Sequence, residues 1–174
     1  MNKGLLIVNT GNGKGKTTAA LGMAFRALGH GMRVCIIQFI KGTWKYGELN
    51  SAKRFEDLLE FHVKGNGFTW KSDNLETDKA IARDAWEFAK YKLDSDSYDL
   101  IILDELTYLV KYAMIDEDEI VNTLKRRHPN LHIVVTGRYA STKLIEAADI
   151  VTQMLAEKHP LKAGIKAQKG VELL

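Results

Sequence analysis

The turn Thr10-Gly11-Asn12-Gly13-Lys14-Gly15-Lys16-Thr17-Thr18 concentrates the residue types that hold phosphate. Its glycines let the backbone fold tightly enough for successive N–H groups to point at phosphate oxygens. Lys16 is spaced to reach the outer phosphates of a nucleotide, and the Thr17 hydroxyl to meet Mg²⁺. A helix opening near Lys16 adds the positive end of its dipole. In the general pattern G-x-x-x-x-G-K-T the first glycine would fall on Thr10; here it is Gly11, so the phosphates are expected in an altered register. The bland alternative is a glycine- and lysine-rich surface turn. The apolar run before it and the helical pattern after it argue against that.

Two adjacent carboxylates, Asp104 and Glu105, close the apolar run Leu100-Ile101-Ile102-Leu103. Proteins with a phosphate loop place there the acid that organises Mg²⁺ or its water shell. Asp104 is expected near the metal shell, with Glu105 contributing. Thr136-Gly137-Arg138 follows another apolar run. Strand ends surround the ligand crevice in an open α/β sheet. Arg138 is thus placed for a phosphate or an anionic substrate group, or is an ordinary turn arginine.

These residues need strands and helices to carry them. Apolar β-type runs alternate with helical patterns, which predicts an α/β fold with a mainly parallel sheet and helices on both faces. Strands are expected at 5–8, 33–39, 59–63, 98–103, 131–135 and 150–155. Helices are expected at 17–28, 48–58, 77–93, 116–127 and 142–148, the third burying Ile81, Ala85, Phe88, Ala89 and Lys92 on one face. Trp86 and Phe88 read as core. With 174 residues and no repeat or linker, one domain over 1–174 suffices, ending in a basic tail at about 157–174.

Composition narrows the function classes. No apolar stretch approaches the ~20 residues of a spanning helix, and the N-terminus lacks signal-peptide anatomy. The single cysteine, Cys35, excludes a multi-cysteine zinc site and suits a reducing cytoplasm. The tail sets Lys158, His159, Lys162, Lys166 and Lys169 against Glu172, a solvated segment or a contact for an anionic small molecule. No nucleic-acid or membrane partner is expected. Two loops, Gly42-Thr43-Trp44 and Gly65-Asn66-Gly67-Phe68-Thr69-Trp70, set aromatic rings beside glycines. Phe68 and Trp70 are suited to close over a flat hydrophobic ligand, which a simple ATPase would not need; Trp44 reads equally well as packing.

In order along the chain, these segments resemble the P-loop (RecA-like) family of ATP:corrinoid adenosyltransferases, which implies a single-domain P-loop NTPase-like fold. The likeness runs through residues 10–18, Gln38-Phe39-Ile40-Lys41-Gly42-Thr43-Trp44, Gly67-Phe68-Thr69-Trp70 and Asp104-Glu105-Leu106-Thr107-Tyr108. It continues in Thr136-Gly137-Arg138, Lys158-His159 and Gly164-Ile165-Lys166-Ala167-Gln168. The displaced glycine belongs to that family's pattern too. Relatives often carry an N-terminal extension before the first strand, whereas this sequence starts almost at the strand.

The resemblance implies transfer of the 5′-deoxyadenosyl group of ATP to the Co(I) of a corrinoid, with triphosphate released. It implies Asn12 in ATP contact, Thr17 and Glu105 in Mg²⁺ binding, and Phe68 and Trp70 at the corrin's lower face, displacing the axial base to ease reduction of Co(II). A homodimer and a flavoprotein reductant are further implications. Co(I) is itself a strong nucleophile, so no Ser, Cys or His nucleophile is required. The rival readings are a P-loop ATPase or small nucleoside kinase acting at the γ-phosphate, and a non-catalytic nucleotide-dependent binding module.

Overall fold

A computed structural model describes residues 3–40, 47–65 and 75–171. The strands are β1 (Leu6–Thr10), β2 (Val34–Gln38), β3 (Leu59–Val63), β4 (Leu100–Asp104), β5 (His132–Thr136) and β6 (Ile150–Gln153). The α-helices are α1 (Lys16–Gly29), α2 (Gly47–Ala52), α3 (Leu75–Leu93), α4 (Thr107–Lys111), α5 (Glu117–Lys125) and α6 (Thr142–Ala147). All six strands pair in parallel, in the order β3-β2-β4-β5-β1-β6. This is the expected α/β architecture.

Successive side chains of a strand point to opposite faces, so a parallel sheet covered on both sides needs near-continuous apolar strands. One face carries Leu6, Val8, Cys35, Ile37, Ile101, Leu103, Ile133 and Val135 against α3, α4 and α5. The other carries Val34, Ile36, Leu100, Ile102 and Val134 against Ala20, Ala24, Ala27 and Leu28 of α1. Alanines along α1 let it lie close to the sheet, which fixes the height of its first turn over the strand ends.

The local signals are physical. Asp116 caps α5 by accepting the Glu119 N–H at 3.0 Å, and Ser141 caps α6 by accepting from Leu144 at 3.2 Å. The helix expected at 48–58 stops at Ala52 and tightens into a 3₁₀ turn over Lys53–Phe55, because the chain must enter β3 at Leu59. The expected face of α3 is also corrected. Ala82, Ala85, Trp86, Ala89 and Leu93 are the buried positions, whereas Ile81, Phe88 and Lys92 are half-buried. Trp86 can occupy that face because its indole N–H donates to Glu119 at 2.8 Å. Cys35 is core, as expected.

Candidate active site

The phosphate loop leaves β1 and enters α1 through two glycines in the left-handed region, Gly11 at φ 94° and Gly15 at φ 107°. Gly15 is the residue before the first turn of α1, so the unpaired N–H groups of that turn open onto the loop. A brace not legible in the sequence holds the loop from below. Met154 donates its N–H to the Thr10 carbonyl at 2.9 Å, and Gly13 donates to the Met154 carbonyl at 2.8 Å. The Gly13 N–H, expected to face phosphate, is therefore engaged with the chain beyond β6. A Cβ at Gly11 would lie 2.4 Å from the Met154 oxygen, and one at Gly13 2.6 Å from that of Leu155. Close backbone approach, besides phosphate, is what these glycines serve.

Lys16 is 8% exposed and folds back over the loop, its ammonium donating to the carbonyls of Gly11 at 2.8 Å and Gly13 at 2.7 Å. Burial lowers its pKa; Glu105 opposes that, Arg138 reinforces it, and Asp104 and Lys14 follow in opposite directions. The ammonium is thus a desolvated cation resting on neutral oxygens. Asn12, Lys14 and Thr18 are exposed.

At the carboxyl ends of adjacent strands, polar residues form a row on the α1 side of the sheet. Gln38 is in register with Asp104 across β2 and β4, and Asn9 with Thr136 across β1 and β5. Asp104 is fully buried. Its Oδ1 accepts from Thr17 Oγ1 at 2.8 Å and Thr136 Oγ1 at 2.6 Å, and its Oδ2 from Gln38 Nε2 at 2.9 Å. The Thr17 hydroxyl spends its proton on Asp104, leaving its lone pairs for another ligand. A hydroxyl beside a carboxylate is the oxygen donor set that a hard cation takes, so these residues fit Mg²⁺.

Glu105 sits at φ 65° and donates its N–H to Thr136 Oγ1 at 3.0 Å. A Cβ on Gly137, which lies at φ 136°, would stand 2.0 Å from Thr107 Oγ1 and 3.3 Å from Glu105 Oε2. Gly137 therefore admits both side chains. Thr107 donates to the Arg138 carbonyl at 2.5 Å, and the Arg138 side chain is exposed at this edge. The structure thus gathers Lys16, Thr17, Asp104, Glu105 and Arg138 at the carboxyl ends of β1, β4 and β5. Trp44, Phe68 and Trp70 lie outside the described residues.

Sequence reasoning missed α4 and the tyrosines beside it. Tyr108 and Tyr112 stack with ring centroids 6.0 Å apart, Tyr139 meets Tyr108 edge-on at 6.2 Å, and the Lys111 ammonium stands 4.9 Å from the Tyr139 ring centroid. Desolvation pushes the Tyr108 phenol up to about 12, with Glu105 adding to it and Arg138 opposing. The spacing of Tyr108 and Tyr112, four apart, was the available signal.

Elsewhere, Cys35, Glu60 and His62 bring their ligand-type atoms within 4.8 Å of one another. The carboxylate there already takes Lys92 Nζ at 2.6 Å and the Tyr98 hydroxyl at 2.6 Å. Burial raises the Cys35 thiol to about 12, so this cluster is an ion-pair network around a neutral thiol.

Residues 2–173 match the model of a family described as ATP:corrinoid adenosyltransferase BtuR/CobO/CobP. A corrinoid adenosyltransferase of Sinorhizobium is 47% identical over 172 residues, covering 98% of this chain and 80% of that protein. Those of Pseudomonas aeruginosa and Escherichia coli are 46% and 45% identical over 170 residues, covering 98% of this chain and 84% and 86% of theirs. Among solved structures, the flagellar accessory protein FlaH of Methanocaldococcus jannaschii superposes with a TM-score of 0.60 at 16% identity, covering 88% of this chain and 72% of that one. That likeness is one of fold alone.

Proposed function

The chain belongs to the ATP:corrinoid adenosyltransferase family, and from that membership we propose how its residues carry the reaction. The protein transfers the 5′-deoxyadenosyl group of ATP to a corrinoid. The match over residues 2–173 is the observation that carries this conclusion, and it disfavours a kinase or ATPase working at the γ-phosphate.

The electron pair of Co(I) attacks C5′ of ATP, a cobalt–carbon bond forms, and the C5′–O bond breaks with its electrons passing to the departing triphosphate. Negative charge grows on that leaving group, so catalysis needs cationic groups and donors fixed around it. Lys16 supplies one by exchanging the Gly11 and Gly13 carbonyls, 2.8 and 2.7 Å away, for phosphate oxygens. Gly15 and the first turn of α1 offer N–H groups, and Asn12, Lys14 and Thr18 border the nucleotide. Mg²⁺, when bound, neutralises part of the triphosphate charge. Thr17 would hold it, with Asp104 orienting the Thr17 hydroxyl at 2.8 Å and Glu105 contributing from the neighbouring position. Arg138, exposed at the same edge, meets an anionic group of either substrate.

Phe68 and Trp70 cover the lower corrin face in place of the axial base, which favours reduction of Co(II) because a weaker axial field destabilises the higher oxidation state. The single-electron donor is a flavoprotein, and the enzyme works as a homodimer in the cytoplasm. Among the described residues, no helix is long and apolar enough to cross a membrane. The test is anaerobic incubation with ATP, Mg²⁺ and chemically reduced corrinoid. A light-sensitive alkylcobalt product is expected; ATP turnover to ADP without one would favour the γ-phosphate rival.

A further inference from the structure

The polar row around Asp104 contains two buried atoms without a hydrogen-bond partner, Gln38 Oε1 at the β2 end and Asn9 Nδ2 at the β1 end. Gln38 is 1% exposed. Its amide NH₂ donates to Asp104 Oδ2, 2.9 Å away. The amide oxygen is then left as an unsatisfied acceptor. Such an atom is destabilising in a protein interior, because it has lost water and gained no partner. Every apolar residue of β2 before it is well packed, from Val34 to Ile37, so this cost falls only where the strand reaches the nucleotide site.

We infer that Gln38 is a positioning residue for the metal-bearing side of the site. Its amide holds Asp104 Oδ2 so that Oδ1 remains aimed at Thr17, and its orphan oxygen accepts a hydrogen bond from a water that enters with the hydrated divalent cation. A neutral amide serves here where a carboxylate would not: it donates to Asp104 instead of repelling it. The inference rests on the reading that Thr17 and Asp104 serve Mg²⁺.

The test uses Mn²⁺ as the probe, its binding to the protein–ATP complex followed by electron paramagnetic resonance. Gln38→Met keeps the side-chain length and removes both hydrogen bonds. It should weaken Mn²⁺ roughly tenfold or more, as loss of an outer partner of a metal ligand does. Metal-free ATP affinity should change little, the melting temperature should fall modestly with the lost Asp104 contact, and raising Mn²⁺ should restore most of the turnover. Should Gln38→Met fail to fold, Gln38→Asn, one methylene too short for the Asp104 contact, gives the same readout. Unchanged Mn²⁺ affinity, or a loss that excess metal does not repair, overturns the inference. Thr17→Val separates it from the reading beneath it. If Thr17→Val loses Mn²⁺ and Gln38→Met does not, only the role of Gln38 fails; if both retain it, the Mg²⁺ assignment itself fails.

Discussion

In the proposed reaction Lys16, which gives two of its three N–H donors to carbonyls at 2.8 and 2.7 Å, turns from these partners to a phosphate. Those partners are neutral and the triphosphate is not, so the exchange strengthens as charge builds on the leaving group. Replacing Lys16 by Ala should therefore lower adenosylation of pre-reduced corrinoid by roughly a hundredfold or more, read as an anaerobic initial rate. Turnover near that of the wild type would remove Lys16 from the chemistry. Phe68→Ala and Trp70→Ala should behave differently, losing most activity when the corrinoid is supplied as Co(II) and little when it is supplied as Co(I). Equal losses on both routes would reduce the two rings to a binding surface.

The loop between β1 and α1 is held as much by the chain beyond β6 as by its own glycines. A Cβ at Gly13 would press on the backbone carbonyl of Leu155 at 2.6 Å, which has no flexible end to move aside. Gly13→Ala should lower both ATP affinity and melting temperature, checked by nucleotide titration and a thermal melt. Gly22, inside α1 with nothing within 4 Å, is the control; its change to Ala should stabilise by about 0.5–1 kcal/mol. This contrast also explains what could be read beforehand. The strands were legible because two-sided burial demands runs such as Val34-Cys35-Ile36-Ile37. The Met154 brace was not, since backbone groups make it and any residue type at 154 would supply them. The five-residue helix α4 was equally hidden: its Thr-Tyr-Leu-Val-Lys carries too little periodicity to separate from a strand. In the site, Lys16, Thr17 and Asp104 followed from spacing, whereas the partnership of Gln38 with Asp104 required the register of β2 against β4.

At the scale of the whole molecule, one parallel sheet fixes four strand ends under one helix start, and the Lys92–Glu60 ion pair at 2.6 Å ties α3 to β3. Around Glu60, desolvation pulls the carboxyl upward, but hydrogen bonds from Lys92, Tyr98 and His62 outweigh it and bring the pKa from 4.5 down to about 2. A carboxyl depressed on folding contributes stability above its unfolded pKa and loses it as pH falls through the folded one. Between about pH 5 and about pH 2.5, the urea midpoint should therefore fall further for the wild type than for Glu60→Gln. Parallel slopes would detach Glu60 from acid stability. Adenosyl transfer breaks the C5′–O bond of ATP while that framework stays fixed. ATP labelled with ¹⁸O in the C5′–O–P bridge, turned over with reduced corrinoid and followed by ³¹P magnetic resonance, reads it directly. The label should appear wholly on the terminal phosphorus of intact triphosphate; label retained in a nucleotide product, with free orthophosphate or ADP, would contradict the account.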